Sequence, residues 1–160
     1  MLFQPPAPQY IPIPHIPQQD IGDCLAACAA MACAWIQIDV SYDRLLRLLQ
    51  VQTGVGAPFP NVERLTQLGC TVTHQRFGTL ALLYDFLAKG WPVIVSVQAG
   101  ELDYWQTDYL LHAVLVVGMT STEVILNDPG LPMGAVRATL GDFDLAWAER
   151  DERYAVLSHA

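Results

Sequence analysis

The stretch QQDIGDCLAACAAMACAWI, residues 18–36, sets an acidic turn before a cysteine and follows it with an Ala-rich segment. From Cys24 the chain runs fifteen residues, to Ile38, without a charged side chain. Alanines at 26, 27, 29, 30, 32 and 34 favour a helix over 24–36. A helix with no polar face is buried all round. The chain therefore places a thiol, Cys24, at the start of a helix that belongs to the core.

The composition fits one globular domain. There are 160 residues, 52% hydrophobic and 15% charged, which is long and apolar enough to bury a core and excludes a disordered chain. The net charge is −8, with Lys89 the only lysine, which speaks against nucleic acid or an anionic membrane surface as partner and favours a cationic peptide. No uncharged stretch reaches the length of a membrane span, and MLFQPPAPQY lacks the basic start and apolar run of a signal peptide, so a cytoplasmic location is expected. In that compartment Cys24, Cys28, Cys33 and Cys70 are free thiols. Their spacing lacks the paired units of a zinc site, so neither a metal nor another cofactor is expected.

Residues 1–17 read as a proline-rich extended arm, with six of the eleven prolines between positions 5 and 17, and residues 18–160 as the domain proper. YDRLLRLLQ and NVERLTQLG read as helices, the second closed by Gly69, and TLALLYDFLAKG as an amphipathic helix ending at Gly90. TVTHQ reads as a strand. PVIVSVQ, LHAVLVVGM, EVILND and RYAVLS are β-branched runs and read as strands of an antiparallel sheet. Helices first and strands later make an α+β fold.

Of four histidines, only His112 lies in an apolar strand. The strands on either side of Met119–Thr122 should form a hairpin. Pairing centred on Thr120 puts His112 opposite Asp128 on one face. A carboxylate there fixes the imidazole tautomer and stabilises the imidazolium, making an oriented base. Its natural nucleophile is Cys24, since helix N-terminal amides and an imidazolium both lower a thiol's pKa. Cys28 and Cys33, deeper in the apolar helix, should stay inert. Asp23 opposes ionisation of Cys24 unless its carboxylate turns away to cap helix amides. Gln18 or Gln19, with the Cys24 N–H, can supply an oxyanion hole, and Gln18 is the preferred candidate. Tyr104, Trp105 and Tyr109, just before His112, are placed over the cleft as substrate-binding candidates.

The order Gln18, Cys24, His112, Asp128, with Asp23-Cys24 heading a helix and Asn127-Asp128-Pro129 sixteen residues after His112, resembles the papain-like cysteine peptidases. Within them it is most similar to the bacteriocin-processing, double-glycine leader peptidases. The resemblance implies a helical half carrying the cysteine, packed on an antiparallel sheet half carrying His112 and Asp128, with the cleft between. It implies Cys24 as nucleophile, His112 as base, Asp128 as its orienter and Gln18 as oxyanion donor. It also implies a peptide substrate cut after small residues, with export of the product by a transporter, here as a separate partner. Leu25 stands where those peptidases usually carry glycine, which narrows or reshapes the cleft. No Gly-Gly pair occurs in the chain, which excludes self-processing at such a site. The rival readings are a papain-like amidase or acyltransferase using the same residues, and a catalytically silent module that binds a peptide in the same cleft.

Overall fold

The computed structural model describes residues 3–159. The Ala-rich stretch forms helix α1, Cys24–Trp35, with Leu25–Ala29 and Met31–Cys33 buried. Its burial is not complete. Ala34 and Trp35 reach solvent, and the Trp35 indole N–H donates to the Gly90 carbonyl at 2.8 Å. Helix α2 follows at Tyr42–Leu48, then a 3-10 helix at Phe59–Leu68 closed by Gly69 in the left-handed conformation. These elements form the helical half.

The sheet half is built from seven antiparallel strands: β1 (Gln9–Tyr10), β2 (Cys70–Gln75), β3 (Val93–Gln98), β4 (Leu111–Met119), β5 (Glu123–Asn127), β6 (Val136–Thr139) and β7 (Tyr154–His159). Their order is β2-β7-β3-β4-β5-β6, and β1 pairs with the end of β4. Helix α3 (Leu80–Ala88) separates β2 from β3, and α4 (Leu140–Ala148) lies between β6 and β7. The fold is thus α+β, with one helix among the late strands that the hydrophobic runs did not mark. Strand β4 lies inside the sheet, and all its residues after Leu111 are buried. That is why LHAVLVVGM is a continuous apolar run rather than an alternating one.

The proline-rich segment is extended and packs against the rest of the chain. Strand β1 occupies the edge of β4 beyond the last residue paired with β3, and the Ile11 N–H donates to the Val117 carbonyl at 2.8 Å. Ile11 and Ile13 are buried in the common core. Buried Asn127 donates from Nδ2 to the Ile13 carbonyl at 3.0 Å, fastening the segment to the end of β5.

The hairpin register differs from the pairing centred on Thr120. Leu115 faces Asn127, two residues further along β5, and a bulge at Val117 shifts the ladder again towards the turn. His112 and Asp128 are therefore diagonal, not opposite. Side chains alternate between faces with a period of two, so an offset of two keeps both residues on one face, whereas an offset of one would have separated them.

Candidate active site

His112, near the start of β4, and Asp128, just past β5, form the shortest polar contact described. His112 Nε2 lies 2.6 Å from Asp128 Oδ1, with both residues buried. A buried carboxylate can only accept, so Nε2 carries the proton and Nδ1 is the ring nitrogen left to meet the Cys24 sulfur.

Four donors converge on Asp128. Oδ1 accepts from His112 Nε2–H and, at 2.9 Å, from the Gly130 N–H. Oδ2 accepts from the Tyr104 hydroxyl at 2.7 Å and from the Trp105 indole N–H at 2.8 Å. Burial alone would raise the Asp128 carboxyl pKa. The bond and charge of His112, with the Tyr104 and Trp105 bonds, hold it below its ordinary value. Gly130 is required by packing as well: a Cβ there would lie 2.7 Å from the Trp105 ring. The ring in turn meets His112 edge-on, with centroids 5.5 Å apart.

Cys24 opens α1 and lines the cleft. Burial would raise its thiol, but the His112 hydrogen bond and charge, together with the backbone N–H groups of Ala113 and Leu25, outweigh this and lower it. Burial likewise lowers His112, and the bonds and charges of Asp128 and Cys24 overcome it, lifting the imidazole to about 9. Both shifts run in the direction that favours a thiolate beside an imidazolium. Burial dominates at the other thiols: Cys28 is pushed well up, Cys33 to about 12, and Cys70 is raised too.

The start of α1 is arranged for the sulfur. Ser41, Thr79 and Thr139 cap α2, α3 and α4 through their hydroxyls. Asp23 makes no side-chain cap on α1; its Oδ2 instead accepts from the Tyr42 hydroxyl at 3.1 Å. The first amides of α1 thus remain available to the thiolate. The Asp23 carboxylate is thus engaged by Tyr42 rather than by the helix amides.

The cleft has a volume of about 1010 Å³. Gln18, Cys24, Leu25, Trp105 and His112 line it, with Ile21, Val55 and Phe59 on the helical side. Gln18 is held there by its backbone N–H, which donates to the Pro129 carbonyl at 2.8 Å, so the turn that follows Asp128 also fixes Gln18. Its Nε2 gives one N–H to the Asp20 carbonyl at 3.2 Å. Gln19 faces a separate depression beside Ile16 and Tyr42. Of the three aromatic candidates only Trp105 lines the cleft. Tyr104 bonds to Asp128 and packs on the core, and Tyr109 is 68% exposed. The joint hold of Tyr104 and Trp105 on Asp128 escapes a reading of the sequence, because nothing in GELDYWQTDYLL marks where its polar tips converge.

Among solved structures, a candidate C39-like peptidase from Bacillus anthracis superposes with a TM-score of 0.77 at 18% identity, covering 95% of this chain and 98% of that one. The peptidase domain of Streptococcus ComA, a bifunctional ABC transporter of a quorum-sensing pathway, gives 0.73 at 21% identity, covering 92% and 99%. A double-glycine-motif protease from an AMS/PCAT transporter, solved with its leader peptide, gives 0.71 at 19% identity, covering 95% of both. At such identities the likeness establishes the fold, a papain-like arrangement of helical and antiparallel halves. No curated protein sequence matches the chain. The family model for the Peptidase_C39 like family matches residues 10–154, from β1 to the first residue of β7 and so across both halves of the cleft. On that match the chain belongs to the Peptidase_C39 like family.

Proposed function

We propose that this protein is a cysteine peptidase that hydrolyses peptide bonds through a thioester on Cys24. The observation that carries the reading is the Cys24–His112–Asp128 alignment in an open cleft, with the thiol lowered and the imidazole raised. The Cys24 thiolate attacks the scissile carbonyl carbon, forming the S–C bond and moving the carbonyl electron pair onto oxygen. That oxyanion is met by the Cys24 N–H and the second N–H of Gln18 Nε2. As it collapses, the C–N bond breaks and the leaving amine takes the proton of His112 Nδ1. His112, now neutral, accepts a proton from water, whose oxygen attacks the thioester. Release of the new carboxylate restores thiolate and imidazolium. Asp128 keeps its charge throughout and holds the ring in register.

Substrate choice follows from the walls. Leu25 and Trp105 line the same cleft as the thiol, which favours small side chains at the cut, as in peptides ending in Gly-Gly. Peptides of the leader type are thus the expected substrates. A panel of quenched fluorescent peptides with Gly-Gly, Ala-Ala or Leu-Leu at the centre tests this. Cleavage after Gly-Gly that vanishes in Cys24→Ala is expected. Cleavage that survives in Cys24→Ala, or peptide binding with no turnover, would overturn the reading.

A further inference from the structure

The cleft has a charge pattern opposite to that of the molecule. The chain carries sixteen Asp and Glu against eight Lys and Arg, yet among the described residues no acidic side chain lines the cleft, and the one permanent cation there is Arg150. Arg150 sits in the turn after α4. Its Nε–H donates to Ser96 Oγ at 3.4 Å. Ser96 lies on β3, buried, and pairs with Ala113, the residue after His112. Arg150 is thus tied to the strand beside the one that carries the proposed base.

Its guanidinium has no carboxylate partner among the described residues. Arg76 and Arg137 each have an acidic side chain within 4.0 Å, Asp151 and Glu123. Arg150 stands between Glu149 and Asp151 in sequence and pairs with neither. With Nε committed to Ser96, both terminal nitrogens are left to form the planar fork that receives a carboxylate. Partial burial of an unpaired cation is costly unless a ligand completes it.

We infer that Arg150 is a specificity-determining residue that binds a carboxylate of the substrate elsewhere along the cleft that holds Cys24 and His112. The inference rests on the peptidase reading. The overall charge of −8 repels an acidic peptide at long range, so the selection acts inside the cleft, within a Debye length of about 8 Å. The carboxylate can come from an Asp or Glu side chain or from the peptide's own C-terminus.

The test uses peptides with a common Gly-Gly centre, acetylated and amidated at the ends. Glu, Gln or Lys is placed in turn at each of the flanking positions. A second arm uses neutral peptides of graded length, with a free or an amidated C-terminus. The readout is the Glu:Gln (or free:amidated) ratio of kcat/KM, which does not depend on the fraction of protein folded. A ratio of about tenfold or more is expected at one position, the scale of a charged hydrogen bond. It should collapse in Arg150→Gln, weaken in Ser96→Ala and invert towards Lys in Arg150→Glu. Preference for internal Glu identifies the side chain as the source, and preference for free C-termini identifies the chain end. The same peptides are titrated calorimetrically onto Cys24→Ala protein. Glu-over-Gln binding through Arg150 without cleavage by the unsubstituted protein would keep this inference while removing the peptidase reading. Equal handling of Glu and Gln peptides and of free and amidated ends in both readouts, or a preference that persists in Arg150→Gln, would overturn it.

Discussion

Replacing Asp128 by asparagine tests why a carboxylate, rather than an amide, stands behind His112. All four groups that reach Asp128 are donors. An amide oxygen turned towards His112 and Gly130 leaves the amide N–H₂ facing Tyr104 and Trp105. The Tyr104 hydroxyl can rotate to accept, but the indole N–H cannot. The opposite orientation strands the Gly130 N–H and forces His112 into the wrong tautomer. The first is cheaper, and its orphaned indole N–H costs about 1–3 kcal/mol of stability. The lost charge matters more for the site. A hydrogen bond to a charged group contributes about 1.5–3 kcal/mol, equivalent to roughly one to two pKa units on His112. The imidazole should fall from about 9 by that amount. The thiolate absorbance of Cys24 should then titrate at higher pH, and kcat/KM at neutral pH should drop about tenfold to a hundredfold. Adding Trp105→Phe to the Asp128→Asn protein should regain stability without regaining the thiolate. An Asp128→Asn protein whose thiolate titrates as in the unsubstituted one would refute the claim that the Asp128 charge sustains the pair.

Three further outcomes follow from the same geometry. Turnover should hold level between the lowered Cys24 value and about 9, then fall as His112 loses the proton it gives to the leaving amine, which a pH profile of kcat/KM checks. Gln18→Ala should lower kcat by about a hundredfold, the scale for an oxyanion donor, while Gln19→Ala, across the wall from the cleft, leaves it near normal in the same assay. Gly22→Ala forces a side chain into a residue at φ +92°, with its Cβ 2.7 Å from the Gly56 nitrogen, and should cost at least about 1 kcal/mol in a denaturant titration.

Much of this arrangement is legible in the residues. The Ala-rich run and the β-branched runs differ so strongly in pattern that α1, β3, β4, β5 and β7 stand out without any tertiary information. The pairing of His112 with Asp128 follows from one hairpin, although its register lies two residues away from the expected one. Next to the turn the ladder is three residues off, with Met119 opposite Val124, and the bulge at Val117 takes one back to leave two. The face survives because two is an even number. Strand β6 and helix α4 are not legible. VRAT is four residues long, and LGDFDLAWA is a short segment in which a glycine, two acids and an exposed Leu145 interrupt the buried Leu140, Phe143, Ala146 and Trp147. The choice between Gln18 and Gln19 also depends on a long-range contact, the backbone bond from Gln18 to Pro129. The clamp on Asp128 needs three-dimensional placement of Tyr104 and Trp105, which sit 24 and 23 residues before it.

The central claim is that Cys24 alone among the four cysteines is a thiolate, sustained by His112. Limiting iodoacetamide at mildly acid pH, followed by peptide mass mapping of the folded, reduced protein, tests it most directly, because Cys28, Cys33 and Cys70 are internal controls. The expected result is label on Cys24 only, fading in His112→Ala. Uniform labelling, no labelling, or full labelling of Cys24 in the His112→Ala protein would contradict it.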